Sequence, residues 1–231
     1  TRYVPLTRNS INSKQVRSII EDSNNHIWIG TYDAGVCYLS KTTGQFHNVN
    51  SHLNSNKVLS LFANDNKVWI GYFKNGLDVT NNKTLSTQHY SANNLGINEA
   101  SIYAICDDSN GNTWIGNGWG VYVGNKMTMK FEHMPQFGSA FIFDIIEDIN
   151  KNIWVASMGK GVFKYNPLTQ EIENFTHDEK NPKSLSSNSV SSIMETSDGN
   201  IWFSTDRGGI CLYNKATNDF TSYGINEGLP D

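Results

Sequence analysis

The sequence predicts an all-β chain assembled from repeated four-stranded antiparallel units, and three observations predict it. Tryptophan recurs at 28, 69, 114, 154 and 202, with gaps of 41, 45, 40 and 48 residues. Around each of these tryptophans, short runs of β-branched and aromatic residues are bounded by Asn and Gly, the pattern of a strand. No stretch sustains a helical period of apolar residues over about twelve positions. A repeat of about 40–50 residues fits a β-propeller blade or a pair of packed helices, and the strand pattern decides for the blade.

Each unit carries four such runs. In the first unit they fall at 16–20, 27–31, 36–39 and 46–49. The first two are joined by a turn, Asp22 to His26, whose counterparts are 64–66, 108–112, 148–152 and 197–200. These turns are rich in Asn, Asp and Gly, which accept the left-handed backbone of a tight hairpin. Two residues after each repeated Trp stands a small residue, Gly30, Gly71, Gly116, Ala156 or Ser204. Small residues there let neighbouring sheets approach while the Trp fills the gap between them. A further glycine opens the third strand, at Gly35, Gly76, Gly120, Gly161 and Gly209, where positive φ or close packing is expected. Alternation is weak inside runs such as Ile19-Ile20 and Ile145-Ile146, which fits sheets covered on both faces. The chain thus reads as a single propeller region over 1–231, with blades at about 14–50, 56–90, 100–133, 140–176 and 188–223. Residues 2–4 read as the fourth strand of a preceding blade, and 224–231 as the lead-in to a following one. Either the chain is cut from a longer propeller, or the strand at 2–4 closes the ring against the last blade.

Composition removes several function classes. Charged residues make up 17% of the 231 residues and the net charge is -4, with no basic tract, so nothing points to nucleic acid. No apolar run approaches the roughly 20 residues that span a bilayer, so no membrane insertion is expected of this region. The cysteines, Cys37, Cys106 and Cys211, are odd in number and widely spaced, which makes neither a disulfide framework nor a zinc pattern. Cys37 and Cys211 hold the same place in their units and read as small buried strand residues.

One unit runs from Val190 to Thr205 through Ser197-Asp-Gly-Asn-Ile-Trp202, and continues as Gly208-Gly-Ile-Cys-Leu-Tyr213. The same outline recurs from Val16 to Thr31 and at Gly35-Val-Cys-Tyr38, and Asn226-Glu-Gly-Leu-Pro-Asp231 has the form of a phrase that opens a new blade. These residues resemble the two-component regulator propeller repeat, in five copies over nearly the whole chain. The resemblance implies a periplasmic sensor region of a hybrid two-component system of Bacteroides-type bacteria, part of an inner-membrane protein. It implies detection of an oligosaccharide, with the signal passed to a histidine kinase. The partners it implies are the remaining propeller of the parent and a dimer partner. Rings in that family often have seven blades, so five copies fit a piece of a larger ring.

Fold alone does not settle function, since propellers also host sialidases and lyases. The segment Thr196-Ser-Asp-Gly-Asn-Ile-Trp202 resembles a sialidase Asp-box, but its spacing is one residue short and it recurs in every unit as a turn. The four arginines, Arg2, Arg8, Arg17 and Arg207, are scattered. The histidines show no metal spacing, and His47, His89 and His177, in or just after fourth strands, are expected to be exposed polar residues. The Asp/Asn turns lack the distal Glu of a calcium loop. No catalytic residue, metal or cofactor is therefore expected, and a propeller glycosidase or lyase stands behind the sensor. Ligand contact is assigned instead to the loops between second and third strands, which vary while the frame repeats. They carry Tyr32, Asp33, Phe73, Lys74, Trp119, Lys160, Asp206 and Arg207. Aromatic rings beside charged groups suit a polar ligand on an apolar platform. The competing reading is a structural or protein-interaction propeller that uses the same residues.

Overall fold

A computed structural model of the chain describes residues 9–11 and 13–229. Among them are five four-stranded sheets, in each of which the strands neighbour one another in chain order. The first sheet is β1 (Val16–Glu21), β2 (His26–Thr31), β3 (Gly35–Ser40) and β4 (Phe46–Asn48). The second is β5 (Val58–Asn64), β6 (Lys67–Tyr72), β7 (Leu77–Asn81) and β8 (Thr87–Tyr90). The third is β9 (Ile102–Asp107), β10 (Asn112–Asn117), β11 (Gly120–Asn125) and β12 (Lys130–His133). The fourth is β13 (Ile142–Glu147), β14 (Ile153–Ser157), β15 (Val162–Tyr165) and β16 (Ile172–Phe175). The fifth is β17 (Val190–Glu195), β18 (Ile201–Thr205), β19 (Gly209–Asn214) and β20 (Asp219–Tyr223). The fold is all-β: five blades of a β-propeller, with one four-residue α-helix among the described residues, α1 (Ala92–Leu95). The chain divides within the third sheet into two compact units, one holding the first two blades and the other the last two. The strand expected at 2–4 lies outside the described residues. At the tail, Ile225–Glu227 forms a 3-10 turn whose Glu227 carboxylate accepts the Gly224 N–H at 2.6 Å.

The repeated residues have recurring physical tasks. In blade one, Asp22 Oδ1 accepts the N–H groups of Asn24 (2.8 Å) and His26 (3.0 Å), closing the turn. Its Oδ2 accepts the indole N–H of Trp28 at 2.8 Å. Asp108 and Asp148 hold Trp114 and Trp154 the same way, at 3.0 and 2.8 Å. One carboxylate thus builds the hairpin and fixes the rotamer of the ring that fills the gap between sheets, while satisfying a buried N–H. Although burial works to raise it, the hydrogen bonds from His26, Trp28 and Asn24, with the nearby His26 ring, hold the Asp22 carboxyl below the usual carboxylate range.

Packing runs from each blade to the next. Trp28 is buried against Val58, Leu61, Val68, Ile70 and Tyr72 of blade two. Trp154 is buried against Ile193, Ile201, Phe203 and Tyr213 of blade five. Trp69 and Trp114 are also buried, whereas Trp202, on the last blade, is only partly covered. Close approach explains the small residue after the Trp. A Cβ on Gly30 would stand 2.7 Å from Val58 Cγ1, and one on Gly71 would stand 2.7 Å from the Ile102 carbonyl oxygen. The glycine opening the third strand adds a backbone stitch. Gly35, Gly76 and Gly161, at φ 71°, 70° and 72°, donate their N–H to Asn56, Ala100 and Asn188, each in the lead-in to the next blade.

A further regularity was not expected. The ladder between first and second strands shifts register between Val16 and Ser18, Val58 and Ser60, Ile142 and Asp144, and Val190 and Ser192. Such a bulge re-aims the residue beside it. Here it turns Ser18 and Asp144 toward the following blade, where they accept the N–H of Leu61 (3.1 Å) and Ile193 (2.8 Å). Ser60 donates to the Ile102 carbonyl at 2.9 Å. The three cysteines are buried free thiols. Burial pushes the Cys106 thiol up to about 12, far from a reactive thiolate.

Candidate functional site

The loops after the second strands are fixed at their bases by the same blade geometry. The N–H of Tyr32, Phe73, Met158 and Asp206 each donates to the residue leading into its own first strand, Gln15, Lys57, Phe141 and Ser189, at 2.8–3.0 Å. Within three loops a hydroxyl seals the turn: Thr31, Ser157 and Thr205 donate to the carbonyls of Gly35, Gly161 and Gly209 at 2.8–3.0 Å. These hydrogen bonds hold the loop bases, and Asp33, Trp119, Lys160, Asp206 and Arg207 beyond them are exposed.

In the unit holding the first two blades, the structure brings three of the expected residues together. The rings of Tyr32 and Phe73 lie 6.1 Å apart, tilted by 56°. Lys74 Nζ sits 5.1 Å from the Phe73 ring centre. Two residues that sequence reasoning missed complete the strip: the Arg17 guanidinium lies 5.2 Å from the Tyr32 ring, and Lys57 Nζ lies 5.9 Å from Phe73. Arg17 occupies the bulge between Val16 and Ser18. Three cations lie against two aromatic rings, forming a cation–π strip. Asp33 is exposed beside it.

In the other unit, Trp119, Lys160, Asp206 and Arg207 are all exposed, Trp119 to 57%. The Trp119 loop is held by Asn117 Oδ1, which accepts the N–H of Trp119 (2.8 Å) and of Gly120 (3.1 Å). Lys160 Nζ rests against Gly138, and Arg207 holds a left-handed backbone at φ 60°. Among the described residues these four share no hydrogen bond or ion pair with one another.

Blade two departs from the repeat in a way that corrects one expectation. Where the other blades have Cys37, Tyr122, Phe163 and Cys211, two residues into the third strand, blade two has Asp78, fully buried. Its carboxylate is completely satisfied. Oδ2 accepts the Tyr72 hydroxyl (2.7 Å) and the Asn54 N–H (3.0 Å). Oδ1 accepts Asn54 Nδ2 (3.0 Å) and meets His89 Nδ1 at 2.7 Å. His89 is therefore a half-buried partner of a buried acid rather than an exposed polar residue, because its ladder partner is Asp78 where blade one pairs Cys37 with Asn48. Tyr72 replaces the small hydroxyl or amide of the other loops, and burial together with Asp78 pushes its phenol above the ordinary range, so that it stays a donor. His47 and His177 are exposed, His47 stacked 4.8 Å from Tyr38. Among the described residues no three His, Cys, Asp or Glu side chains gather as metal ligands, and no helix is long and apolar enough to cross a membrane.

Three segments, 10–33, 96–119 and 184–207, match the family model of the two-component regulator propeller. The chain is similar to the extracellular domain of BT3049 of B. thetaiotaomicron, assigned as a hybrid two-component system, at 29% identity and TM-score 0.76, covering 91% of this chain and 28% of that one. The extracellular domain of BT4673 from the same organism, also assigned as a hybrid two-component system, gives 21% identity and TM-score 0.76, over 97% of this chain and 33% of that one. A virginiamycin B lyase of Staphylococcus aureus shares the fold at 16% identity and TM-score 0.73, over 99% of this chain and 74% of that one. No curated protein matches the chain in sequence. The chain spans about a third of the length of the two sensor domains it resembles.

Proposed function

We propose, for a chain that carries two-component regulator propeller repeats, the role of ligand-detecting propeller in the periplasmic region of a hybrid two-component sensor. In this reading it detects an oligosaccharide and passes the signal to a histidine kinase of the same parent, without chemistry of its own. The observation that carries it is the likeness, at 29% identity, to the extracellular domain of a Bacteroides sensor. The loops support it, because exposed aromatic and charged residues stand on a frame whose other residues are committed to packing. The lyase likeness, at 16% identity, speaks for the fold alone.

A protein-interaction platform is the second reading, favoured by apolar exposure on the same loops, 57% at Trp119 and 51% at Met158. Titration of the chain against an oligosaccharide panel separates the two. Trp119→Ala tests the aromatic platform. Arg207→Asn tests the charge without straining a left-handed residue, since Asn accepts that conformation. Binding of one oligosaccharide, weakened about tenfold by either substitution, is the expected result. Binding that neither substitution alters would remove these loops from the site, and no binding by the parent's whole extracellular region would favour the platform.

A further inference from the structure

Blade two also holds an open cleft of about 230 Å³, lined by Lys74 and Asn75 of the β6–β7 loop, by His89, and by Ser91 and Asn93 after β8. This is smaller than the roughly 300–1,000 Å³ of pockets for drug-sized ligands, and suits a single ring. Among the described residues no carboxylate lines it; the nearest acids are Asp78, engaged with His89, and Glu99, whose carboxylate accepts the Ser101 N–H at 2.8 Å. Asp78 commits His89 Nδ1 as a donor, since an ionised carboxylate only accepts, and this leaves Nε2 as the ring nitrogen available to a ligand. The tautomer is fixed from beneath by an acid that Tyr72 and Asn54 hold in place, which pre-organises the imidazole. Lys74 stands at the junction of the cleft with the cation–π strip, and among the described residues no carboxylate pairs with it. Arg17 and Lys57 extend the positive charge along Tyr32 and Phe73.

A buried acid and a tyrosine replace apolar or small residues in this one blade, and they are costly to bury unless satisfied. Packing does not require them, since the other blades close the same position with Cys, Tyr or Phe. We propose that this cleft binds an acidic sugar residue. Lys74 takes its carboxylate, and His89 Nε2 with Asn75 and Asn93 takes its hydroxyls, while the Ser91 hydroxyl stays committed to capping α1. The inference rests on the saccharide-detecting role above and narrows it to a uronic-acid-type ring placed on blade two.

The test uses the whole chain, D-galacturonate, uncharged D-galactose and sodium sulfate as probes, with the histidine ring signals followed by NMR. Two variants are chosen to keep the fold: Lys74→Asn, which suits the left-handed backbone at φ 57°, and His89→Gln, whose amide still donates to Asp78. D-Galacturonate is expected to move the His89 signals, with affinity falling about tenfold in Lys74→Asn, as for loss of one charge-assisted hydrogen bond. D-Galactose should bind at least about tenfold more weakly. The inference is overturned by galacturonate that leaves His89 unmoved, by equal affinity for galactose or sulfate, or by variants that bind like the native chain. If a neutral oligosaccharide binds and depends on Trp119 while galacturonate does not bind, this inference fails and the sensor reading stands. If no saccharide binds even the parent's full extracellular region, the sensor reading fails as well.

Discussion

Ile145, Ile193 and Ile19 hold the same place in the first strands of blades four, five and one, opposite Val155, Phe203 and Ile29. Ile145 and Ile193 are 3% and 5% exposed, whereas Ile19 is 61% exposed. The tryptophans repeat the contrast on the opposite face of a blade. Trp154 is buried under blade five, while Trp202 of blade five is only partly covered, with Met194 exposed on the same sheet. Within each unit the repeat therefore places interface residues on the faces of its blades, and Ile19 of blade one and Met194 and Trp202 of blade five are such residues left exposed or partly covered. Terminal repeats that meet solvent usually replace such residues with polar ones. Ile19, Met194 and Trp202 show no such replacement, so these two faces carry the residues of covered ones.

The comparison is sharpest at the tryptophans. Trp154→Ala removes a ring packed on Phe203 and Tyr213, and should cost about 3–5 kcal/mol. Trp202→Ala should cost less than half of that, because its partners cover only part of it. Urea unfolding of both variants measures the difference. Equal losses would mean that Trp202 is covered in solution, for instance by self-association, which sedimentation would detect.

The isoleucines give the next largest effect. Ile193→Ala, between blades four and five, should destabilise by about 2–5 kcal/mol. Ile19→Ala should stay within about 0.5 kcal/mol, as for a surface substitution, and should reduce any tendency of the chain to self-associate. An Ile19→Ala variant as unstable as Ile193→Ala would break the comparison.

The blades were legible because the repeat imposes each residue on five occasions. The Trp, the small residue two places on, and the glycine with positive φ all point to a single packing arrangement, and four of the five tryptophans are buried as expected, Trp202 being only partly covered. The first-strand bulge was not legible, because it changes register without a marker residue: Arg17, Leu59, Phe143 and Ser191 have nothing in common. With the bulge went Arg17, whose guanidinium lies 5.2 Å from the Tyr32 ring. Lys57 was missed because it lies outside the strand pattern. Of the expected loop residues, Tyr32, Phe73 and Lys74 lie near one another, since adjacent blades bring equivalent loops side by side. The Asp78–His89 pair left a signal that went unread. An acid stood in the third strand where other blades have Cys, Tyr or Phe, but its partner eleven residues on is visible only once the ladder register is known.

The smallest effect concerns the turn acid that holds the tryptophan, and it separates blade one from blade five. Blade five has Thr196 where blade one has Asp22, six residues before the Trp, so its indole has no such carboxylate. In Asp22→Asn the amide oxygen still accepts the turn N–H groups, but the amide nitrogen faces the Trp28 indole donor. The loss should be about 1–2 kcal/mol at pH 7, the cost of an unsatisfied buried donor. The pH dependence has a definite sign. The Asp22 carboxyl lies lower when folded than when unfolded, so its contribution is complete above the unfolded value of about 4 and is lost as pH falls through the folded value. The native chain should therefore lose more stability than Asp22→Asn between pH 5 and the acid limit, and the two unfolding curves should converge there. Thr196→Asp, placing the same acid in blade five, should add acid sensitivity only to the extent that the partly covered Trp202 can be held by it. Parallel pH profiles for native and Asp22→Asn chains would refute the role given to this carboxylate.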